Sequence, residues 1–289
     1  MRINIENDQL YDPNTNILYS NWTAGFFANC CVTLWVLAKL ANEGIVPQEI
    51  RSEGNGWNLY TDVPNINSFA SFFSSTNTNI NISTFESLPQ LSNDQHLFGP
   101  HIEYSTILNK FKPFVQRWYE PNNHTKDIEQ YLNNKYKINF SKTIGVCRRG
   151  TDKEWEAKIA SIEQYINAAR EQLNLHPDHK ILIQTDCAHT VDEFKKAFGD
   201  VCIQFNEYGL EPSREYSGKF GTAPSCIRTT NRQYHGRCLL AVVSILSKCN
   251  VVINCTSNIA LWIYLMRNYN GNEYQFNKDA VFIKNNFDI

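Results

Sequence analysis

The second half of the chain alternates short apolar runs with amphipathic segments, and this alternation limits the possible folds more than any other feature. Apolar runs of strand length lie at 143–147, 180–185, 200–205 and 250–255, with a further short run at 280–283. Segments with the apolar spacing of a helix lie at 159–173, 190–199, 237–248 and 258–268. The helix at 190–199 is expected to begin on a capping Thr190 and to end at Gly199. Strands that alternate with helices predict a parallel sheet covered by helices on both faces.

The first half of the chain is less regular. Helices are predicted at 28–44, 101–119 and 126–136. Residues 65–95 are rich in Asn and Ser and are expected to form a loop-rich insertion. The change of pattern predicts a boundary near residue 137, which divides the chain into domains at 1–136 and 137–289.

Composition excludes several classes of protein. Basic and acidic residues nearly balance, 27 against 29, so no net positive field would attract nucleic acid. The longest apolar run, 238–246, is too short to span a bilayer, and the polar start of the chain lacks the apolar core of a signal peptide. The nine cysteines are scattered and never form a C-x-x-C pair, which is typical of reduced, buried thiols. We therefore expect a soluble, cytoplasmic protein.

Two consecutive arginines, Arg148 and Arg149, follow the apolar run at 143–147. In parallel α/β sheets, ligands collect beyond the carboxyl ends of the strands, and the planar fork of an arginine can hold two phosphate oxygens. The pattern therefore predicts an anion site at Arg149. The alternative is a surface salt bridge from Arg149 to Asp152 or Glu154.

Polar residues also follow two other strands of the predicted sheet. Thr256, Ser257 and Asn258 come directly after the run at 250–255 and before a helix, whose N-terminus can bind an anion. Asp186 follows the run at 180–185. Each group could instead be an ordinary helix cap. Together with Arg149, they favour one polar site at the carboxyl edge of the sheet.

The usual phosphate-binding and metal-binding motifs are absent from the sequence. Neither G-x-x-x-x-G-K-[ST] nor G-x-G-x-x-G occurs, and no D-x-D pair is present that could bridge a metal ion to a diphosphate. His176 and His179 have a zinc-like spacing, but no cysteine or carboxylate cluster joins them to complete four ligands. The sequence therefore predicts a site without a metal or other cofactor.

The motifs "IGVCRRGTDK", "ILIQTD" and "SKCNVVINCTSN" resemble those of a known superfamily in their order and approximate spacing. This superfamily comprises core fucosyltransferases, the Nod-factor fucosyltransferase and protein O-fucosyltransferases, with the patterns H-x-R-R-T-D-K, A-T-D and a serine-rich turn. The resemblance covers residues 143 to about 268. The segment "AGFFANCC" (24–31) is also similar to the first loop and helix of the superfamily.

The resemblance implies an α/β fold of the GT-B type, in which two Rossmann-like domains face each other across a cleft. Residues 1–136 would form a trimmed, acceptor-side domain, and residues 137–289 would bind the nucleotide-sugar donor. The implied activity is inverting, metal-independent transfer of a sugar to a glycan hydroxyl. Arg149 matches the arginine that holds the β-phosphate, and Asp186 matches the A-T-D aspartate. Ser257 matches the first serine of the turn, and Asn29 the first-loop asparagine that touches the nucleotide.

The chain departs from the superfamily at several of these positions. Cys147 stands in place of the histidine, Gly150 in place of the second arginine, and Ala28 and Cys30 flank Asn29 in place of Gly and Gln. These departures keep open an alternative function, a catalytically inactive module that binds a nucleotide or glycan.

Carboxylates follow the arginines closely, and one of them could deprotonate the acceptor hydroxyl. Glu154 is slightly favoured over Glu156 for this role, and a solvated acidic loop is the alternative for both.

The donor base would be read in the loop after the third strand of the second domain, at Asn206 or Glu207. A carboxylate accepts both N1–H and the N2 amino group of guanine, whereas an amide matches uracil better. GDP-fucose is the default donor of the superfamily, and a UDP-sugar such as UDP-xylose is a close second.

Overall fold

The structure is a computed structural model that describes most of the chain. The described residues are 2–6, 8–22, 24–53, 57–63, 66–76, 80, 104–150, 158–208, 210–212, 230–267, 272–276 and 279–284. The chain divides into two compact units, Met1–Lys126 with Thr229–Leu240, and Asp127–Arg228 with Ala241–Ile289. The sequence places this boundary near residue 137 and does not show that the segment Thr229–Leu240 returns to the first unit.

The first unit contains a sheet of strands in the order β1-β2-β3-β4. These are β1 (Ile3–Glu6), β2 (Gln9–Asp12), β3 (Ile17–Ser20) and β4 (Glu49–Arg51). The connections from β1 to β2 and from β2 to β3 are too short for a crossover, so both pairs are antiparallel. Among the described strands of this sheet, only β3 and β4 are parallel, and helix α1 (Phe26–Asn42) joins them. In its described residues, this sheet therefore differs from the parallel sheet that a Rossmann-like domain would have.

Among the described residues, the first half also contains short strands and further helices. They are β5 (Phe73–Ser74), α2 (Tyr104–Trp118), β6 (Glu120–Pro121) and α3 (Asn123–Tyr136). β5 and β6 form an antiparallel pair. All three helices predicted in this half are present, and α1 begins two residues earlier than predicted. Of the predicted insertion at 65–95, only residues 66–76 and 80 are described.

The second unit contains the sheet that the alternation predicts. Its strands are β7 (Thr143–Arg148), β8 (Lys180–Thr185), β9 (Cys202–Ile203), β10 (Val251–Cys255), β11 (Glu273–Phe276) and β12 (Phe282–Lys284). The order is β12-β11-β10-β7-β8-β9, with parallel pairing from β11 to β9 and an antiparallel β12 at the edge. The prediction of a parallel sheet is confirmed. Strand β11 was not predicted, because its residues "EYQF" do not form an apolar run.

Four helices of the second half were predicted, and all four are present. They are α4 (Ile162–Leu175), α5 (Ala188–Phe198), α6 (Arg232–Lys248) and α7 (Asn258–Met266). α5 begins two residues before Thr190, so the prediction that Thr190 caps this helix is wrong. Its hydroxyl instead accepts a hydrogen bond from Arg148 at 2.9 Å. Within the described ranges, no helix is long and apolar enough to cross a membrane.

Side chains of β7 point alternately to the two faces of the sheet, and both faces are covered. Ile144 and Val146 belong to an apolar cluster that includes residues of α4, α5 and the neighbouring strands. Gly145 points the other way, and a Cβ there would lie 3.0 Å from Leu246 Cδ2 and 3.2 Å from Cys249 Sγ. With both faces covered, the carboxyl edge of the sheet is the place where the strands can present polar residues to a ligand.

Candidate functional site

The three polar strand ends predicted from the sequence lie on neighbouring strands. β7 lies between β8 and β10, and all three strands are parallel. Arg149, Asp186 and the Thr256–Ser257 turn therefore follow the strands at the same edge of the sheet. The sheet brings together residues that are distant in sequence, as the alternation predicted.

Asp186 holds the end of β7 through both carboxylate oxygens. Its Oδ2 forms an ion pair with Arg149 Nε at 3.0 Å, and its Oδ1 accepts from the Gly150 backbone N–H at 2.9 Å. The side chains of Arg149 and Asp186 are 26% and 13% exposed. Asp186 does not cap α5, because the N-cap residue of that helix is Cys187. The alternative partners of Arg149, Asp152 and Glu154, lie outside the described residues.

Arg148 has a different environment from Arg149, because consecutive residues at a strand end point to opposite faces. Arg148 is 8% exposed. Its Nη1 donates to Thr190 Oγ1 at 2.9 Å and its Nη2 to the Ala160 carbonyl at 3.4 Å. A Cβ at Gly150 would collide with the Arg148 guanidinium. No separate role was predicted for Arg148, although the alternation along β7 places its side chain on the same face as Ile144 and Val146.

Ser257 is the N-cap of α7, and its side chain serves that role. Its Oγ accepts from the Ala260 backbone N–H at 3.2 Å, and the residue is 5% exposed. This hydroxyl therefore acts as an ordinary helix cap, which was the alternative interpretation of the sequence. The first backbone N–H groups of a helix lack intrahelical partners, so the N-terminus of α7 can still attract an anion. Asn258, the first residue of the helix, is partly exposed.

Thr256 ties the turn before α7 to strand β11. Its backbone N–H and its hydroxyl both donate to the Phe276 carbonyl, at 3.1 and 3.4 Å. The same hydroxyl accepts from Gln275 Nε2 at 2.8 Å. Thr256 therefore positions the turn, and contact between its side chain and a donor stays a prediction.

Cys147 occupies the position at which the fucosyltransferase superfamily resembled by the sequence has a histidine. A thiol differs in its chemistry from an imidazole. The side chain is buried, and this burial raises the pKa of the thiol well above its ordinary value, with a further contribution from Cys255 nearby. Cys147 therefore stays protonated at neutral pH and does not act as a thiolate.

Glu207, one of the two candidates for reading the donor base, is bound to the end of α3. Its Oε1 accepts from Lys135 Nζ at 2.7 Å and its Oε2 from Tyr136 Oη at 3.1 Å. The same Tyr136 oxygen accepts from the Asn206 backbone N–H at 2.9 Å. The pKa of the Lys135 ammonium is raised because Glu207 accepts from it. Lys135 and Tyr136 hold this loop, a role that was not predicted from the sequence.

Asn206, the other candidate, lies in the loop after β9, which ends at Ile203, and is exposed. The ring of Phe205 packs against Tyr136 at 5.0 Å between ring centroids, which fixes the chain on one side of Asn206. Of the two candidates, the exposed side chain is therefore the amide of Asn206 and not the carboxylate of Glu207.

Asn29, the predicted nucleotide contact in the first unit, orders the loop before α1. It is fully buried. Its Oδ1 accepts from the Ala24 backbone N–H at 2.8 Å, and its Nδ2 donates to the Ala24 carbonyl at 3.3 Å. A contact between Asn29 and a nucleotide stays a prediction.

The carboxylates proposed from the sequence as the catalytic base, Glu154 and Glu156, lie outside the described residues. Among the residues that are described, no group of three or more His, Cys, Asp or Glu side chains could hold a metal ion. His179, which has zinc-like spacing to His176, forms hydrogen bonds with Asp178 and Asn250, each at 2.9 Å. That the site needs no metal stays a prediction.

Comparison with known proteins shows similarity at the level of structure. No family model and no curated protein matches the sequence. The structure of NodZ α-1,6-fucosyltransferase soaked with GDP-fucose matches with a TM-score of 0.56 and 16% identity, over 93% of this chain and 99% of that chain. NodZ co-crystallised with GDP matches with a TM-score of 0.55 and 15% identity, over 92% and 96% of the two chains. Fucosyltransferase NodZ from Bradyrhizobium matches with a TM-score of 0.57 and 16% identity, over 93% and 98%. The chain therefore has a mixed α/β, fucosyltransferase-like fold.

Proposed function

We propose that the protein is a glycosyltransferase that moves a sugar from a nucleoside-diphosphate sugar to a glycan hydroxyl. The observation that carries the proposal is the convergence of Arg149, Asp186 and the N-terminus of α7 at one sheet edge. The similarity in fold to NodZ, which was soaked with GDP-fucose, supports the same class of donor. The GT-B type and inversion at the anomeric carbon belong to this proposal. So does a cytoplasmic location, which the buried thiols Cys30, Cys147 and Cys249 support.

In the proposed reaction, negative charge develops on the β-phosphate as the glycosidic bond breaks. Arg149 and the N-terminus of α7 would stabilise this charge, because preorganised donors in a protein cost no reorganisation during the reaction. Asp186 fixes Arg149 through Nε and fixes the Gly150 backbone, so it orients the group that binds the phosphate. Glu154 or Glu156 would accept the proton of the acceptor hydroxyl.

Activity is expected to survive removal of divalent cations, because the proposed site stabilises the leaving group with a guanidinium and a helix terminus instead of a metal. The measurement is the initial rate of nucleoside diphosphate release in the presence of excess EDTA. A rate that falls with EDTA and returns with Mn²⁺ or Mg²⁺ would contradict the metal-independent mechanism.

The donor base has two candidates. GDP-fucose remains the default, supported by the similarity in fold to NodZ. A UDP-sugar such as UDP-xylose is the second candidate. Both oxygens of Glu207 already accept hydrogen bonds from Lys135 and Tyr136, whereas Asn206 is exposed. An amide that faces guanine would leave one donor unsatisfied, at a cost of about 1–3 kcal/mol.

Titration with GDP and with UDP is expected to separate these candidates. If Glu207 reads guanine, GDP binds more tightly than UDP, Glu207→Gln weakens GDP binding, and Asn206→Ala does not. If Asn206 reads uracil, UDP binds more tightly and Asn206→Ala weakens it. Lys135→Met is the control, because it removes a partner of the loop anchor and keeps the carboxylate. An equal loss in Glu207→Gln and Lys135→Met would indicate a disturbed loop instead of a lost base contact.

A binding module without turnover is the alternative function, and it is favoured by the protonated thiol of Cys147 and by Gly150 in place of an arginine. Incubation with a panel of nucleotide sugars distinguishes the two functions. Release of nucleoside diphosphate, by transfer or by hydrolysis, supports the enzyme. Binding of the same donors without release supports the binding module.

A further inference from the structure

Arg148 is a buried cation without a counter-charge in the described structure. Its side chain donates to two neutral groups, the Thr190 hydroxyl and the Ala160 carbonyl. Among the described residues it forms no ion pair with a carboxylate, and its Nε is buried without a hydrogen-bond partner. The guanidinium also lies over the ring of Tyr165, with 5.9 Å between the guanidinium carbon and the ring centroid.

Arg149, the next residue, differs in that a carboxylate lies beside it. Its charge is balanced by Asp186 at 3.0 Å, so the pair contributes little net charge at a distance. Among the described residues, the net positive charge at the end of β7 therefore belongs to Arg148, the more buried of the two arginines.

The charge of Arg148 lies directly against the backbone that ends the strand. A Cβ built on Gly150 would collide with Nη1 of Arg148 and lie 3.3 Å from its Cζ. The absence of a side chain at Gly150 therefore makes room for the guanidinium. Gly150 is itself fixed there, because its N–H is bound to Asp186.

An unpaired buried charge is costly for a folded protein. A nearby anion offsets this cost, since Coulombic attraction is screened less through protein than through water. The carboxyl edge of the sheet, with Arg149 and the N-terminus of α7, is the place at which the described residues favour an anion. An anion bound there would supply the missing counter-charge.

We propose that Arg148 provides the net positive charge that attracts the diphosphate of the donor, acting through the Gly150 backbone without touching the ligand. This inference rests on the proposed function. In this arrangement Arg148 attracts the phosphates, and Arg149 orients the leaving group. Arg148 is a positioning residue, because it contributes to the electrostatic potential of the site without touching the ligand.

The test compares nucleoside diphosphates with nucleosides in Arg148→Met, which removes the charge and keeps an unbranched side chain. We expect about tenfold weaker binding of GDP or UDP, as for one unit charge acting over a short distance in partly screened surroundings. Binding of guanosine or uridine should not change, because these ligands carry no phosphate. The melting temperature should stay equal or rise, since replacement of an unpaired buried charge by an apolar side chain removes a desolvation cost.

Two further variants control this result. Arg148→Lys keeps the charge and should retain most of the diphosphate affinity. Lys142→Met removes one positive charge just before β7, from a side chain that is 54% exposed and at the opposite end of the strand. It should leave diphosphate binding unchanged, because exposed charges at that separation are screened.

A lower melting temperature in Arg148→Met with an unchanged ratio of diphosphate to nucleoside affinity would overturn the proposal, since Arg148 would then be only structural. If Arg148→Met does not fold, Arg148→Gln gives the same comparison, and failure of both to fold also contradicts the proposal.

Inorganic pyrophosphate separates this inference from the proposed function. Wild-type binding of pyrophosphate but of neither GDP nor UDP would reject the nucleotide-sugar function, and a tenfold loss in Arg148→Met would still support the inference. Binding of none of the three would reject both.

Discussion

Arg149→Ala is expected to lower the turnover of a nucleotide-sugar donor by about 100- to 1000-fold while the protein stays folded, the usual loss for one preorganised donor of this kind. The side chain is partly exposed and is held by Asp186 at the carboxyl edge of the sheet. Its removal therefore takes away stabilisation of the leaving group without opening a large cavity. The measurement is kcat/KM for release of nucleoside diphosphate, together with a thermal melt.

Arg149→Lys should also turn over poorly, because a point charge cannot replace the planar fork of the guanidinium. Arg170→Ala is the matched control, since Arg170 is an exposed residue of α4 whose described contacts are a hydrogen bond to Asn167 and a cation–π contact with Phe198. This variant should have normal kcat/KM. A folded Arg149→Ala protein with near-normal turnover would place the reaction elsewhere.

Arg267→Ala is expected to destabilise the second unit by about 3–5 kcal/mol, the range for breaking a buried ion pair by removing one partner. Arg267 and Glu273 are 1% and 0% exposed and lie 2.6 Å apart. Arg267 also donates to the carbonyls of Ser247, Cys249 and Asn250, so it ties the end of α6 to α7 and β11. The measurement is urea unfolding followed by tryptophan fluorescence and circular dichroism, with attention to separate transitions of the two units.

Arg51→Ala provides the control, because Arg51 pairs with Glu49 in a bridge whose side chains are 43% and 39% exposed. Exposed pairs contribute about 0–1 kcal/mol, so this variant should unfold at nearly the wild-type urea concentration. The double substitution Arg267→Met with Glu273→Leu should recover much of the loss in Arg267→Ala, since it removes both charges. Equal stability of Arg267→Ala and Arg51→Ala would show that the buried pair contributes little.

Periodicity in the sequence predicted the elements of the second unit well. β8 has the predicted bounds, and β7, β10 and α7 differ from the prediction by one or two residues at an end. The reason is that apolar spacing reports directly on the period of a strand or a helix. β11 was missed because its burial is decided by its neighbours β10 and β12 and not by an apolar run of its own.

The sequence also indicated where the candidate site lies, because polar residues after parallel strands must meet at one edge of the sheet. It did not determine which groups pair there. Gly150 and Asp186 are 36 residues apart and come into contact only because β7 and β8 are neighbours. Glu207 is bound by Lys135 and Tyr136, which lie more than 70 positions earlier.

By itself, the sequence determined the class of fold, the edge of the sheet that carries polar residues, and the resemblance to fucosyltransferases. Only the tertiary structure decided that Arg149 is paired with Asp186, that Arg148 has no carboxylate partner among the described residues, and that the Ser257 and Thr256 hydroxyls serve the turn before α7. The physical reason is the range of the interactions. Backbone period and burial pattern are local, whereas the partner of a charged or polar side chain depends on which elements the packed core places beside it.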